Sequence, residues 1–139
     1  MQTTPQGWTV IDADAGVLTR TYSYAKEGRS NCLTAKLPSG GLMIISAPSR
    51  IDQAAVDELA EYGPVEAIVA NNGFHYLGLA RWHELFPAAR CFAAEGASAR
   101  IHAKSKKPVP TIEPLSALEP LLGPDVAVIE TASSKCGET

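Results

Sequence analysis

Along the first third of the chain, Val, Thr, Tyr and Leu cluster in short stretches at residues 8–11, 17–24 and 32–37, separated by Asp14-Ala15-Gly16 and by Lys26-Glu27-Gly28-Arg29-Ser30-Asn31. β-Branched and aromatic runs interrupted by turn formers predict strands joined by hairpins. Pro38-Ser39-Gly40-Gly41 then precedes Leu42-Met43-Ile44-Ile45-Ser46, a continuous apolar run that suits a strand covered on both faces. The period next becomes helical. Ile51, Ala55, Leu59 and Tyr62 fall on one stripe, Ser49 stands three residues before Asp52 in the manner of a capping box, and Gly63-Pro64 stops the helix. Residues 65–70 form another apolar strand. A second helix is expected over 77–86, with Leu79, Trp82 and Phe86 on one side, followed by a strand at 90–94.

Strand, helix, strand, helix, strand at this spacing requires two crossover connections and therefore a parallel portion of the sheet. The expected class is α/β, with a mixed sheet of antiparallel hairpins followed by βαβ crossovers. A short helix is expected from Gly96 to about Lys104. Pro108, Pro110, Pro114, Pro120 and Pro124 predict loop beyond it, with at most a short helix over 116–122 and a last strand over 126–130.

The length of 139 residues suits a single domain, 1–139, and a composition 45% hydrophobic with 19% charged residues can supply a core. A net charge of −3 provides no global positive field, so neither a nucleic-acid partner nor a membrane surface is expected. With no signal peptide and no bilayer-length apolar run, the expected location is cytoplasmic. Cys32, Cys91 and Cys136 are odd in number and form no C-x-x-C pair; the first two lie in apolar strands and read as buried thiols.

Candidate chemistry concentrates in Asn71-Asn72-Gly73-Phe74-His75, where a buried strand ends and a helix begins. In open α/β sheets this carboxyl edge is where ligands bind. Asn71, Asn72 and Gly73 also read simply as turn and cap residues, with His75 fixed by a hydrogen bond. His83 lies eight residues after His75, a separation of roughly 12 Å of rise on one helix, so the two cannot share an ion. His102 sits in a basic, solvated stretch with Arg100 and Lys104. No G-x-S-x-G elbow, P-loop or G-x-G-x-x-G is present.

The order of elements, the stretch Ile68-Val69-Ala70-Asn71-Asn72, the helix ending Leu85-Phe86-Pro87 and the strand Cys91-Phe92-Ala93-Ala94 resemble the N-terminal half of a metallo-β-lactamase-fold domain. Asn72-Gly73-Phe74-His75 followed by Trp82 and Phe86-Pro87 is similar to a branch of that superfamily with an Asn-x-Phe-His-type loop and a degenerate metal-binding motif. The resemblance implies half of a four-layer αββα sandwich, incomplete at its C-terminal side. Hydrolytic members carry Thr-His-x-His-x-Asp-His in this loop and hold one or two metal ions that activate water. Here only His75 corresponds to a ligand. In the second ligand region, 128–137, Ser134 falls where those members place a histidine.

The resemblance thus implies a degenerate metal site and an inactive or weakly active protein. Asn71, Asn72, His75 and Ser134 are the candidate ligand-binding residues, and His75 is the one candidate metal ligand. No cofactor is expected on this reading. Two alternatives stay open: a hydrolase using zinc or another divalent metal, completed by missing sequence or a partner chain, and a protein that binds a small anion at Asn71, Asn72 and His75 without metal. A half-sandwich leaves its inner sheet face bare, so homo-oligomerisation or pairing with the missing half, if the chain is a fragment, is also expected.

Overall fold

A computed structural model describes residues 2–24, 28–71, 76–105, 110–124 and 126–127. Eight strands form one mixed sheet in sequential order: β1 Gln2–Thr3, β2 Thr9–Asp12, β3 Val17–Tyr24, β4 Gly28–Lys36, β5 Leu42–Ile45, β6 Val65–Ala70, β7 Arg90–Ala93 and β8 Ile112–Glu113. The first five pair antiparallel, as expected from hairpin connections. β5 through β8 then run parallel, with Ile44 opposite Ile68 and Ile68 opposite Cys91. The crossovers carry α1, Gln53–Glu58, and α2, Tyr76–Leu85; α3, Glu95–Lys104, follows β7. The fold is α/β, as the periodicity indicates.

Side-chain alternation divides the core into two layers. On one face Trp8, Leu18, Cys32, Leu42, Ile44, Ile68 and Cys91 pack with Val56 and Leu59, with Leu79 and Trp82 from α2, and with Ala97 and Ile101 from α3. On the other, Met43, Ala67, Val69 and Phe92 pack beneath Leu115, Leu118 and Leu122. These come from a 3-10 turn, Leu115–Ala117, and from α4, Glu119–Leu122. The proline-rich stretch therefore covers the sheet on its inner side. Arg90 donates two hydrogen bonds of 2.7 Å to the Glu113 carboxylate, joining β8 to β7 and holding the Glu113 carboxyl below its ordinary range. Farther along this face, Thr21 and Asn31 are hydrogen-bonded and exposed, and Leu33 is 37% exposed.

Two indoles fasten the helical layer. The Trp8 Nε1–H donates to the Ala55 carbonyl at 2.8 Å, anchoring the N-terminal segment on α1, and the Trp82 Nε1–H donates to the Pro48 carbonyl at 2.8 Å. Both rings are fully buried, so each N–H needs a partner inside the protein. Gly78, one turn before Trp82, lies against the same loop; a Cβ there would collide with the Ala47 carbonyl oxygen. Burial raises the Cys32 thiol far above its ordinary range and, together with the Glu113 charge, pushes Cys91 up to about 12. Both are protonated, unreactive packing groups at neutral pH.

Several local expectations differ from what is observed. α1 begins after Asp52, which occupies the N-cap position without a side-chain cap bond, so the capping box starting at Ser49 does not form. Ser49 instead belongs to the loop that Trp82 draws toward α2. Of the stripe from Ile51 to Tyr62, Ala55 lies in α1 and Leu59 in a 3-10 turn, Leu59–Glu61, while Ile51 precedes the helix and Tyr62 follows the turn. β8 was not expected: two residues carry too little alternation to register, and they join the sheet through a parallel ladder to Cys91 and Phe92, with the Arg90–Glu113 ion pair beside it. Residues 126–127 are not strand, and the rest of the strand expected over 126–130 lies outside the described residues.

The contact between α2 and the loop after β5 carries a clear stability prediction. Trp82→Phe leaves the buried Pro48 carbonyl without its donor and is expected to cost about 1–3 kcal/mol. Gly78→Ala, which must push helix and loop apart, is expected to cost at least as much. Denaturant titration checks both, and unchanged midpoints would show that this contact does not hold the fold.

Candidate functional site at the carboxyl ends of the parallel strands

β5, β6 and β7 end on one edge of the sheet, and the next residues are Ser46, Asn71 and Ala94. Their juxtaposition follows from the parallel register: Ile45 lies opposite Val69 and Ala70 opposite Ala93, while the Ser46 amide donates to the Val69 carbonyl at 3.1 Å. The residue type at each strand end therefore sets the chemistry of the edge. Here it is a hydroxyl, a carboxamide and a methyl group.

Ser46 is buried and has φ 58°, the sole positive φ at a non-glycine position among the described residues. A side chain in this left-handed region is strained by its own carbonyl, and a surrounding network must hold it there. The Ser46 hydroxyl shares a 3.0 Å hydrogen bond with the Tyr22 hydroxyl and a 3.3 Å hydrogen bond with the Ser30 hydroxyl. Tyr22 and Ser30 are direct partners across the β3–β4 hairpin, which brings their side chains to the same face. Three hydroxyl groups thus converge at the end of β5. Each can donate or accept, so the cluster can adjust its polarity to a bound group without gaining or losing charge.

Asn71 extends the polar edge. Its Oδ1 is buried and has no hydrogen-bond partner among the described residues, a condition that costs about 1–3 kcal/mol. Rotation of the carboxamide exchanges that oxygen for an NH2 group, so the position can meet either a donor or an anion. Among the other expected site residues, Asn72, His75 and Ser134 lie outside the described residues. His102 is exposed and His83 half-buried on the outer part of α2, neither part of this edge.

Ser46, Tyr22 and Ser30 did not emerge from the sequence. Ser46 could have been found as the polar residue ending the apolar run 42–45, at the edge that Asn71 marks for the neighbouring strand. Tyr22 and Ser30 become neighbours only once the hairpin register is known. Among the described residues, no group of three His, Cys, Asp or Glu side chains could hold a metal ion. The donors at the strand ends, hydroxyl and carboxamide, do not fit zinc, which favours imidazole and thiolate.

No family model matches the chain, and no curated protein matches it. Among solved structures, the chain is similar to the crystal structure of DIM-1 metallo-β-lactamase exposed to ceftazidime, with a TM-score of 0.59 and 14% sequence identity over 82% of this chain. The likeness is one of fold. It spans 54% of the length of that lactamase, so the chain is the counterpart of about half of it. Among the described residues, no helix is long and apolar enough to cross a membrane.

The strained backbone at Ser46 separates the role of its hydroxyl from that of its conformation. Ser46→Ala removes the hydrogen bonds and keeps the strain, whereas Ser46→Gly removes both. The glycine variant should be more stable than the alanine variant by about 1–2 kcal/mol in denaturant titration. Equal stabilities would argue against a left-handed Ser46.

Proposed function

We propose that this chain is a metallo-β-lactamase-fold protein with a degenerate metal site, inactive or weakly active as it stands. The observation supporting this reading is the residue set at the carboxyl edge: Ser46, Asn71 and Ala94 end the three parallel strands, and Asn71 and Asn72 open the loop in which hydrolytic members place a histidine-rich ligand cluster. A neutral hydroxyl and a neutral carboxamide neither compensate a dication nor depress the pKa of bound water by themselves. His75 would supply one imidazole, and Ser134 a hydroxyl in place of the second region's histidine. A zinc-based hydrolase would need donors from further sequence or from a partner chain. Completion of the sandwich by a second copy or by a missing half belongs to the same proposal, as does a cytoplasmic location.

One observation favours a second reading, binding of a small anion without metal. The buried Asn71 Oδ1 has no partner among the described residues, and Asn71 follows β6, the strand next to the one whose end carries the Ser46 hydroxyl cluster. Such a group is satisfied when a ligand occupies the edge, with Asn72 and His75 on the adjoining loop as its further contacts.

Metal analysis of the purified chain is expected to find substoichiometric zinc, manganese and iron, with no change in His75→Ala. One equivalent of metal that disappears in His75→Ala would overturn the degenerate-site reading. For the second reading, phosphate and simple carboxylates are expected to raise the melting temperature of the parent chain more than that of Asn72→Ala. Identical shifts in the two proteins would remove its support.

A further inference from the structure

A second polar feature shares no lining residue with the strand ends and plays no part in either reading above, Arg20 standing two positions from Tyr22 along β3. Arg20 from β3, Ser49, Arg50, Ile51 and Asp52 from the loop before α1, and Arg81 from α2 line an open groove of about 440 Å³. Three arginines and one aspartate therefore line one groove, in a protein whose net charge is −3. Among the described residues, Arg20 and Arg50 have no carboxylate within ion-pair distance, and Arg81 has only a loose 3.9 Å contact with exposed Glu84. The positive charge in the groove is largely uncompensated.

The fold also organises these groups. Arg20 donates from its guanidinium to the Gln6 carbonyl and lies 5.7 Å from the centre of the buried Trp8 ring, which fixes the head while leaving further N–H donors. Arg81 is on the helix that Trp82 and Gly78 lock to the loop, and Arg50 is carried by that loop two residues after Pro48. Asp52 makes no side-chain cap bond to α1, leaving its carboxylate for other partners.

We propose that this groove binds a phosphate monoester of a small polyhydroxy compound. Planar guanidinium forks pair bidentately with phosphate oxygens, and a monoester carrying nearly two negative charges at neutral pH matches the excess positive charge. The carboxylate of Asp52 only accepts hydrogen bonds, so it repels a second phosphate and favours hydroxyl donors, which Ser49 can also meet. Ile51 provides an apolar wall. The volume falls in the usual range for small-molecule sites and exceeds what a bare phosphate fills.

Isothermal titration at constant ionic strength, with glycerol 3-phosphate, inorganic phosphate and glycerol as probes, tests the proposal. Saturable binding of glycerol 3-phosphate is expected, tighter than that of phosphate, with none for glycerol. Arg50→Gln/Arg81→Gln should weaken it by at least about tenfold, since charge-assisted hydrogen bonds are lost. Arg50→Lys/Arg81→Lys, which retains charge without the fork, should fall between. Asp52→Asn should narrow the preference over phosphate, whereas binding that survives Arg50→Gln/Arg81→Gln and is lost in Asn72→Ala would put the ester at the strand ends and overturn the assignment. Unsaturable heats, equal affinity for phosphate and its ester, or full binding by the Gln variant with its fold confirmed by circular dichroism would each overturn the assignment.

Discussion

Much of the molecule depends on one close approach, the docking of α2 on the loop that leaves β5. Gly78 admits the Ala47 carbonyl into space that any side chain would occupy, and Trp82 donates its indole N–H to Pro48 one turn later. Absence of a Cβ allows backbone contact, and the buried N–H gives that contact a single geometry. The consequences run in both directions along the chain. Upstream, Ser46 has to turn through a left-handed conformation to enter the loop. Downstream, residues 49–52 lead into α1. The strained serine and the arginine-lined groove are therefore two results of the same packing constraint.

The sheet accommodates this arrangement because its two faces are covered by different means. On one side the crossover helices supply large side chains, and the two tryptophans bind backbone carbonyls there. On the other, a turn and a four-residue helix place Leu115, Leu118 and Leu122 over Met43, Val69 and Phe92. The parallel strands are thus buried on both sides, as parallel pairing generally requires, while the hairpin strands β3 and β4 turn Thr21 and Asn31 outward. Layering of this kind explains how the likeness to a much longer lactamase coexists with a chain that already covers part of its inner face.

Physical range explains what could be read from the sequence. β5, β6 and β7 were legible because each is an apolar run bounded by turn formers, and the helical stripe at Leu79, Trp82 and Phe86 is equally local. β8 was not, since two residues have no meaningful period and are held by a parallel ladder to β7, with an Arg90–Glu113 pair spanning 23 positions beside it. Ser49 resembled an N-cap on local spacing, but packing moved the true helix start to Asp52. At the site, Asn71 was visible as a polar residue at a strand end. The partnership of Tyr22, Ser30 and Ser46 was not, because it depends on hairpin register and strand order together. The arginine groove was still less accessible: Arg20, Arg50 and Arg81 are far apart in sequence and meet only through the α2 contact.

Fold and chemistry consequently separate in this protein. A metallo-β-lactamase-like sheet positions whatever residues follow its parallel strands, and the physics of that positioning does not depend on whether they are ligands. With Ser46, Asn71 and Ala94 at those positions, the described part of the edge offers hydrogen-bonding groups that carry no formal charge. Formal charge is found instead in the groove, whose lining holds three arginines and one aspartate. A neutral edge selects partners by shape and hydrogen bonding, whereas the groove attracts anions over a distance of about one Debye length, roughly 8 Å at physiological salt.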